Sequence, residues 1–440
     1  MISYKYILKL SIPIMIGSAV QNVITLTDTV FMGRVGMVEL GAIGLVGVFY
    51  LLITTLGYQF TKAGQIMIAR RIGSGHEGEI GEIIQSMAFF AFLLSVLMFF
   101  IMKWGGEFFF SLFVRDRDIL RACIDYLNYR SYGVFFSYLG VVVLSLYTGI
   151  SRTTVIIYNA LVMGLANVVL NYCLVFGNWG FPEMGIGGSA LASTLSEILA
   201  FLVFVFYIFN DKKLAPYKIF EFKPIDVNLI KSQIKLSIPM ILQTFASLGS
   251  WFLFFALIEQ IGRNELAISN IMRTVYMLFM IPAWGFSSGI NTIVSNLIGK
   301  RAYRDVIQAI NKTALLCFSI TMFLGFLLYL FPSIILRIGT NDEYLIEQSK
   351  RLIWVLVSIL AFYSVSIIYF NGMVGTGATK VALYIQVFCV FLYIAYVYYV
   401  VGIQKASLEW SWMAENVYMI SSLIISVLYM RSHSWIKLKI

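Results

Sequence analysis

The chain has 440 residues, of which 32 are Lys or Arg and 22 are Asp or Glu, so charged residues make up 12% of it. Globular domains carry about 25% charged residues, whereas 60% of this sequence is hydrophobic. So few charges cannot cover a surface that faces water, which excludes a soluble enzyme, a disordered scaffold and a secreted disulfide domain. The composition indicates a protein that crosses the membrane many times.

The apolar runs are long and continuous, which predicts spanning helices rather than the strands of a β-barrel. A spanning helix needs about 20 apolar residues, whereas a barrel strand alternates over about 10. The first run follows Lys5 and Lys9 and is itself long enough to span, so a cleavable signal peptide is not expected. The sequence predicts twelve spans, near residues 10–32, 42–70, 83–104, 123–148, 155–177, 187–209, 236–258, 267–297, 313–336, 350–374, 380–402 and 412–430.

The two halves of the sequence repeat each other. The string KLSIP at residues 9–13 recurs at 235–239, an offset of 226 residues. The same offset aligns Gly36 with Gly262, Glu39 with Glu265, and Tyr50 with Tyr276. Because each copy has six spans, both copies run in the same direction and are related by an axis along the membrane normal. We expect an N-terminal six-helix lobe over 1–210, a cytoplasmic linker over 211–235 and a C-terminal six-helix lobe over 236–440.

The distribution of Lys and Arg predicts the orientation in the membrane. With the N-terminus inside, inner loops and tails carry 19 of the 32 positive residues and outer segments carry 12, while Lys62 falls inside a span. This bias predicts that both termini are cytoplasmic, in a plasma (inner) membrane protein.

Asp28 is the clearest functional candidate, because an ionisable group at the centre of a span costs at least about 2.5–3.5 kcal/mol. It lies in TLTDTVFMG on the first span and completes a polar stripe at helical spacing with Ser18, Gln21 and Thr25. A buried carboxylate can exchange a proton near neutral pH or bind a small cation. The alternative is a carboxylate that caps a neighbouring helix or pairs with a fixed cation.

Other polar groups stand in the second, fifth and sixth spans. Asn167 and Asn171 share a helix face, and their amides can ligate an ion, hydrogen-bond a carboxylate or simply join helices. Thr194 and Glu197 share a face, where Glu197 is either a second titrating group or a polar contact without a role in transport. Lys62 either neutralises an acid in a cavity or extends toward the cytoplasmic side.

The second half contrasts with the first, because Asp28 aligns with Phe254 and tyrosines replace many of the polar groups. Polar and ionisable groups are therefore expected in the first half and aromatic groups, among them Tyr363 and Tyr396, in the second. Rings combined with one or two acids suit a flat organic cation through stacking and cation–π attraction. The alternative for tyrosines near span ends is the interfacial belt.

Taken together, the motifs resemble the MATE family of multidrug and toxic compound extrusion transporters. The resemblance rests on KLSIP at each repeat start, TDTVFMGRVG after the first span and NVVLNYCLVFGNWGFPEMGIGGSALAST across the fifth and sixth. It covers essentially the whole chain. It implies an all-α membrane protein with twelve transmembrane helices in two pseudo-symmetric six-helix bundles that form a V, closer to the DinF and archaeal branch than to the NorM branch.

The resemblance also implies site residues. The first-span aspartate of the family falls on Asp28, a potential Na⁺ site, and its cation-coupling partners fall on Asn167, Asn171 and Thr194. Asn171 stands where that branch usually has a second aspartate, so one acid fewer is expected. The bending proline of the first span falls on Pro13.

The second lobe departs from the NorM pattern. The positions where that branch carries second-lobe acids are Ser247 and Tyr363 here, so a NorM-type sodium site is not expected in the second lobe.

The function that the resemblance implies is multidrug efflux by alternating access, with organic cations or amphipathic drugs exported in exchange for H⁺ or Na⁺. A monomer in the lipid bilayer is expected, with no cofactor and no nucleic-acid partner. The alternative is a lipid-linked oligosaccharide flippase of the same superfamily, whose anionic head groups favour a basic cavity, to which Lys62 would contribute. An enzyme or channel is not expected, because HExxH, P-loop and filter-like motifs are absent from the sequence.

No metal site of the His/Cys kind is expected either. His76 and His433 are far apart, and the four cysteines lie scattered inside apolar runs without ligand spacing.

Overall fold

A computed structural model describes residues 2–438, and within them the secondary structure is helical, without strands. The α-helices are α1 (Tyr4–Val35), α2 (Met37–Ser74), α3 (Ile80–Lys103), α4 (Gly105–Ser111), α5 (Arg117–Arg130), α6 (Gly133–Gly149), α7 (Thr154–Phe176), α8 (Gly185–Asn210), α9 (Val227–Glu259), α10 (Arg263–Phe279), α11 (Ile281–Gly299), α12 (Tyr303–Leu330), α13 (Pro332–Leu336), α14 (Glu343–Lys350), α15 (Ile353–Gly375), α16 (Thr379–Val397) and α17 (Leu408–Arg431).

The predicted spans correspond to these helices. Within residues 2–438, ten helices are long and apolar enough to cross a membrane, and the number is 12 when two bent pairs each count as one span. The pairs are α5–α6, bent by 53°, and α10–α11, bent by 44°. The all-α fold with twelve spans is therefore confirmed.

One predicted boundary is wrong. The ninth span was expected to continue to residue 336, but α12 ends at Leu330 and the short helix α13 begins at Pro332. Proline has no backbone N–H and its ring clashes with the preceding turn, so a continuous helix through this position is unfavourable.

Large apolar side chains are exposed along the spans, as a surface in contact with lipid requires. Examples on several spans are Phe92, Leu97, Leu202, Phe206, Phe252 and Phe323. In water such an exposed apolar surface would be costly, so the distribution agrees with the composition in indicating a bilayer environment.

The repeat in the sequence is also a repeat of local structure. α2 begins at Met37 and α10 begins at Arg263, which are 226 residues apart. The same offset separates the N-cap residues of α5 and α14, Asp116 and Asp342. Each of these carboxylates accepts hydrogen bonds from two backbone amides of its helix, as side-chain capping of a helix start requires. The offset therefore preserves helix starts and their caps.

The chain divides into two compact units whose boundaries differ from the predicted lobes. The N-terminal unit is Ile16–Ser237, and the C-terminal unit combines the residues up to Met15 with those from Ile238 onward. Each boundary lies beside a proline inside a helix, Pro13 in α1 or Pro239 in α9. The first helix of each repeat is thus divided between units, because packing decides membership of a unit whereas sequence similarity defines the repeat.

The segment 211–235, predicted as a linker, packs within the N-terminal unit. The Gln85 side chain on α3 donates a hydrogen bond to the carbonyl of Ile219 (3.1 Å). Lys223 forms an ion pair with Glu82 at 2.5 Å, and this hydrogen-bonded carboxylate raises the pKa of Lys223. These contacts order the segment against α3 rather than leaving it as a free connection.

Candidate functional site

The carboxylate of Asp28 on α1 is buried, with 8% of the residue exposed. Asn171 on α7 donates from Nδ2 to Oδ1 of Asp28 (2.7 Å), and Ser193 on α8 donates from Oγ to Oδ2 (3.2 Å). Asn167, one turn before Asn171, donates from Nδ2 to Oγ of Ser193 (3.0 Å). Three helices thus bring four polar side chains together, and we call these four residues the Asp28 network.

Close packing of α7 against α8 positions two of the three helices. A Cβ atom at Gly188 would lie 2.4 Å from the carbonyl oxygen of Leu174, so only glycine allows the backbones to approach at this point. Small residues at helix contacts are typical of membrane proteins. The approach places Asn167 and Asn171, which are four residues apart on one face, against Ser193.

The Asp28 network contains oxygen atoms without a hydrogen-bond partner. Oδ1 of Asn167 and Oδ1 of Asn171 are buried and make no hydrogen bond within the described residues. A carboxylate, two amide oxygens and a hydroxyl are the kind of ligand that hard cations prefer, and a buried carboxylate can also hold a proton. The arrangement can therefore bind either H⁺ or a small metal cation.

Thr194, predicted as a member of this set, lies outside it. Its hydroxyl donates to the backbone carbonyl of Tyr129 at 3.1 Å, and the neighbouring Ser193 contacts Asp28 instead. Consecutive residues point about 100° apart around a helix, so the rotation of α8 about its own axis decides which hydroxyl faces the acid.

Glu197 is held in an ion pair. Arg130 at the end of α5 donates from both terminal nitrogens to its carboxylate, at 2.7 and 2.5 Å. The hydroxyl of Tyr50 on α2 donates to the same carboxylate at 3.1 Å. Of the two interpretations of Glu197, the geometry matches a polar contact with a fixed partner rather than a free acid. The partner, Arg130, was not among the candidates that the sequence indicated.

The remaining N-terminal candidates lie apart from this cluster or on its margin. Gln21 is exposed on α1, so the predicted polar stripe is buried only at its Asp28 end. Lys62 is partly buried on α2, and Arg130 on α5 pairs with Glu197. Pro13 is buried inside α1, which continues to Val35.

The two tyrosines proposed for a substrate cavity have different environments. Tyr363 is buried on α15, and its hydroxyl accepts a hydrogen bond from the indole of Trp284 (3.1 Å). Tyr396 is partly exposed on α16, and its hydroxyl donates to the carbonyl of Trp410 (3.2 Å). The structure does not bring these two side chains into one cluster.

Glu415 on α17 was missed by the sequence analysis. It is 3% exposed, and the side chains of Trp251, Tyr276 and Tyr393 face its carboxylate. The hydroxyls of Tyr276 and Tyr393 are buried and complete no hydrogen bond within the described part of the chain. The expectation that ionisable groups are confined to the first half is wrong. The signal was present, because Glu415 stands in WMAENVY inside the twelfth predicted span, where any carboxylate is a candidate.

Fold and site define the class of the protein as a multi-span membrane transporter built from two repeated units with buried acids. The MatE family model matches residues 13–173 and again residues 239–399, one match in each repeat. The chain therefore belongs to the MatE family, as the motifs predicted.

Individual proteins show the same relationship over nearly the full length. The chain is 24% identical to a probable multidrug resistance protein NorM of Thermotoga maritima, with 98% of this chain and 93% of the relative aligned. It matches an outward-facing multidrug resistance MATE family transporter of the MOP superfamily with a TM-score of 0.91 at 19% identity, covering 99% and 97% of the two chains. A MOP superfamily transporter from Pyrococcus furiosus matches with a TM-score of 0.90 at 20% identity, covering 99% and 97%. The placement in the DinF and archaeal branch stays a prediction.

Proposed function

We propose that the protein is a multidrug efflux antiporter that exports organic cations or amphipathic drugs in exchange for H⁺ or Na⁺. Membership of the MatE family and the multidrug resistance relatives support the substrate class. The observation that carries the coupling is the buried Asp28, held by Asn171 and Ser193 next to amide oxygens without partners. The proposal places a monomer in the plasma membrane with both termini cytoplasmic, in agreement with the Lys and Arg distribution.

The chemistry of Asp28 explains how an ion could drive export. In the structure, Asp28 accepts hydrogen bonds from Asn171 and Ser193 on its two oxygens. Protonation turns one oxygen into a donor, and Na⁺ would draw the amide oxygens of Asn167 and Asn171 toward the carboxylate, so either ion rearranges the same contacts. An ion drives transport only when it binds two conformations with different affinity, and we propose that these rearranged contacts are the source of that difference.

The test is transport of a fluorescent cationic dye in vesicles with H⁺ and Na⁺ gradients imposed separately. Asp28→Asn is expected to abolish gradient-driven transport, and the gradient that drives the wild type identifies the ion. Asp118→Asn is the matched control, because that carboxylate lies on α5 with 73% of its side chain exposed. Full gradient-driven transport by Asp28→Asn would overturn the assignment.

The lipid-linked oligosaccharide flippase remains the alternative, and the structure lends it less support. An anionic head group needs cations that are free to bind it, whereas the buried Arg130 is neutralised by Glu197 within the same unit. Dye transport by the wild type under either gradient, lost in Asp28→Asn, would favour the antiporter over the flippase.

A further inference from the structure

The fourth span is broken beside a buried ion pair. α5 ends at Arg130 and α6 begins at Gly133, with a bend of 53° between them. The guanidinium of Arg130 pairs with Glu197 on α8, and its central carbon lies 3.8 Å from the centroid of the Tyr50 ring. Arg130 and Glu197 expose only 7% and 15% of their side chains. An ion pair removed from water in this way stabilises the fold only when both partners are well oriented and hydrogen-bonded.

The segment of α8 that donates a hydrogen bond to Asp28 also contacts the break between α5 and α6. Ser193 donates to the Asp28 carboxylate, and the next residue, Thr194, donates to the carbonyl of Tyr129 at the end of α5. In a continuous helix that carbonyl would accept the amide of Gly133. Glu197, one turn later on α8, holds the side chain of Arg130. One turn of α8 therefore contacts both Asp28 and the bend between α5 and α6.

Gly133 shows how tightly this arrangement is built. A Cβ atom at Gly133 would lie 2.3 Å from Nη1 of Arg130 and 2.7 Å from Oε2 of Glu197. It would also lie 3.1 Å from the hydroxyl of Thr194. The first residue after the break thus needs to be glycine for the ion pair to form in this geometry.

We propose that Arg130 and Glu197 are a positioning pair that couples ion binding at Asp28 to the bend of the fourth span. The proposal rests on the antiporter function proposed above. Arg130 lies within electrostatic reach of both Asp28 and Glu197. When Asp28 is ionised, the positive charge of Arg130 attracts the carboxylates of both Asp28 and Glu197. When H⁺ or Na⁺ neutralises Asp28, Arg130 is attracted by Glu197 alone. Ion binding therefore changes the forces on the residue at which the helix bends.

The titratable groups around the pair come from four helices. They are Asp28 on α1, Tyr50 on α2, Tyr126 and Arg130 on α5, and Glu197 on α8. Asp28 is the one acid among them without an arginine bound directly to it. A pH dependence that requires the pair is therefore expected to enter through Asp28.

The first test removes both charges together. Arg130→Met with Glu197→Met removes both charges of the pair, so neither partner is left with an unpaired charge, and hydrophobic replacement of a buried pair often preserves folding. We expect the dye Kd to stay within about twofold of wild type while gradient-driven turnover falls about tenfold and loses its pH dependence, a typical size for a coupling between sites. A role limited to stability would leave turnover and its pH profile unchanged in a variant that folds.

The second test displaces the pair without removing a charge. Gly133→Ala pushes on the flexible ends of Arg130 and Glu197, so the fold is expected to survive while turnover falls in the same way as in the double variant. Gly140→Ala on the same helix is the control, because a Cβ there meets no atom within 4 Å. We expect Gly140→Ala to transport as the wild type does.

The outcomes separate this inference from the proposed function. Absence of gradient-driven transport by the wild type would overturn both. Wild-type turnover and pH profile in Gly133→Ala, or in the folded double variant, would overturn the positioning pair alone, provided that Asp28→Asn abolishes transport. Loss of turnover in Gly133→Ala but not in Gly140→Ala supports the pair, even where the double variant does not fold.

Discussion

Glu197 and Glu415 occupy related places in the two units but have different partners. Each lies on the last span of its repeat, and each faces a tyrosine, Tyr50 or Tyr276, which the 226-residue offset aligns. Glu197 is bound by Arg130. The groups that face Glu415 are aromatic side chains, and the hydroxyl of Tyr276 completes no hydrogen bond among the described residues.

The comparison shows that the repeat preserves the helix starts and caps but not the cation beside the buried acid. Helix starts and caps recur at one offset, and so does the tyrosine beside the acid of the last span. The counter-charge occurs beside Glu197 but not among the groups that face Glu415. A buried carboxylate with a bound guanidinium stays ionised as part of a fixed structure, whereas one among rings has a costly charged form. Two acids on related helices can therefore play different parts.

The largest expected effect comes from removing the counter-charge. Arg130→Met leaves Glu197 buried without its cation, which is expected to lower the free energy of unfolding by about 3–5 kcal/mol. Denaturation of the purified protein in detergent measures the loss. Arg121→Met is the control, because its side chain is 77% exposed. A loss no larger than that of Arg121→Met would contradict the claim that Arg130 stabilises Glu197 and so distinguishes it from Glu415.

The aligned tyrosines give a matched pair of smaller effects. Tyr50→Phe removes a hydrogen bond to an ionised carboxylate, so a loss of about 1.5–3 kcal/mol in unfolding free energy is expected. Tyr276→Phe removes a hydroxyl that completes no hydrogen bond in the described structure, so its loss should be clearly smaller. Denaturation curves of the two variants, recorded side by side, measure the difference. Equal losses would show that the two glutamates bind their tyrosines alike.

Glu415→Gln tests whether the second glutamate has a charged partner. Because the groups that face this acid are aromatic and uncharged, neutralising it breaks no salt bridge with them, and we expect the unfolding free energy to change by about 1 kcal/mol or less. Thermal melting in detergent, at the pH used for Arg130→Met, provides the measurement. Destabilisation as large as in Arg130→Met would reveal a charged partner and contradict the assignment.

The smallest effect is expected at an exposed ion pair, which serves as the reference for the buried one. Lys223 and Glu82 are within 2.5 Å but half-exposed, and such pairs contribute little because water and salt screen them. Lys223→Ala is expected to leave the melting temperature of the protein unchanged within error. A clear drop would indicate that the ordered segment 211–235 depends on this contact.

The sequence by itself determined the features that depend on local periodicity. Long apolar runs located the twelve spans, and one constant offset revealed the repeat. Helical spacing placed Asn167 and Asn171 on one face, and the rarity of charge inside spans indicated Asp28. These inferences need only the sequence, because hydrophobicity and the helical period are properties of a single segment, independent of what packs against it.

Only the tertiary structure decided which faces meet. It selected Ser193 over Thr194 as a partner of Asp28, paired Glu197 with Arg130, and surrounded Glu415 with rings from three other helices. These choices depend on the rotation of each helix and on the 53° bend of the fourth span. Rotation and bending are fixed by side-chain packing between segments far apart in the chain, so no pattern within one segment records them.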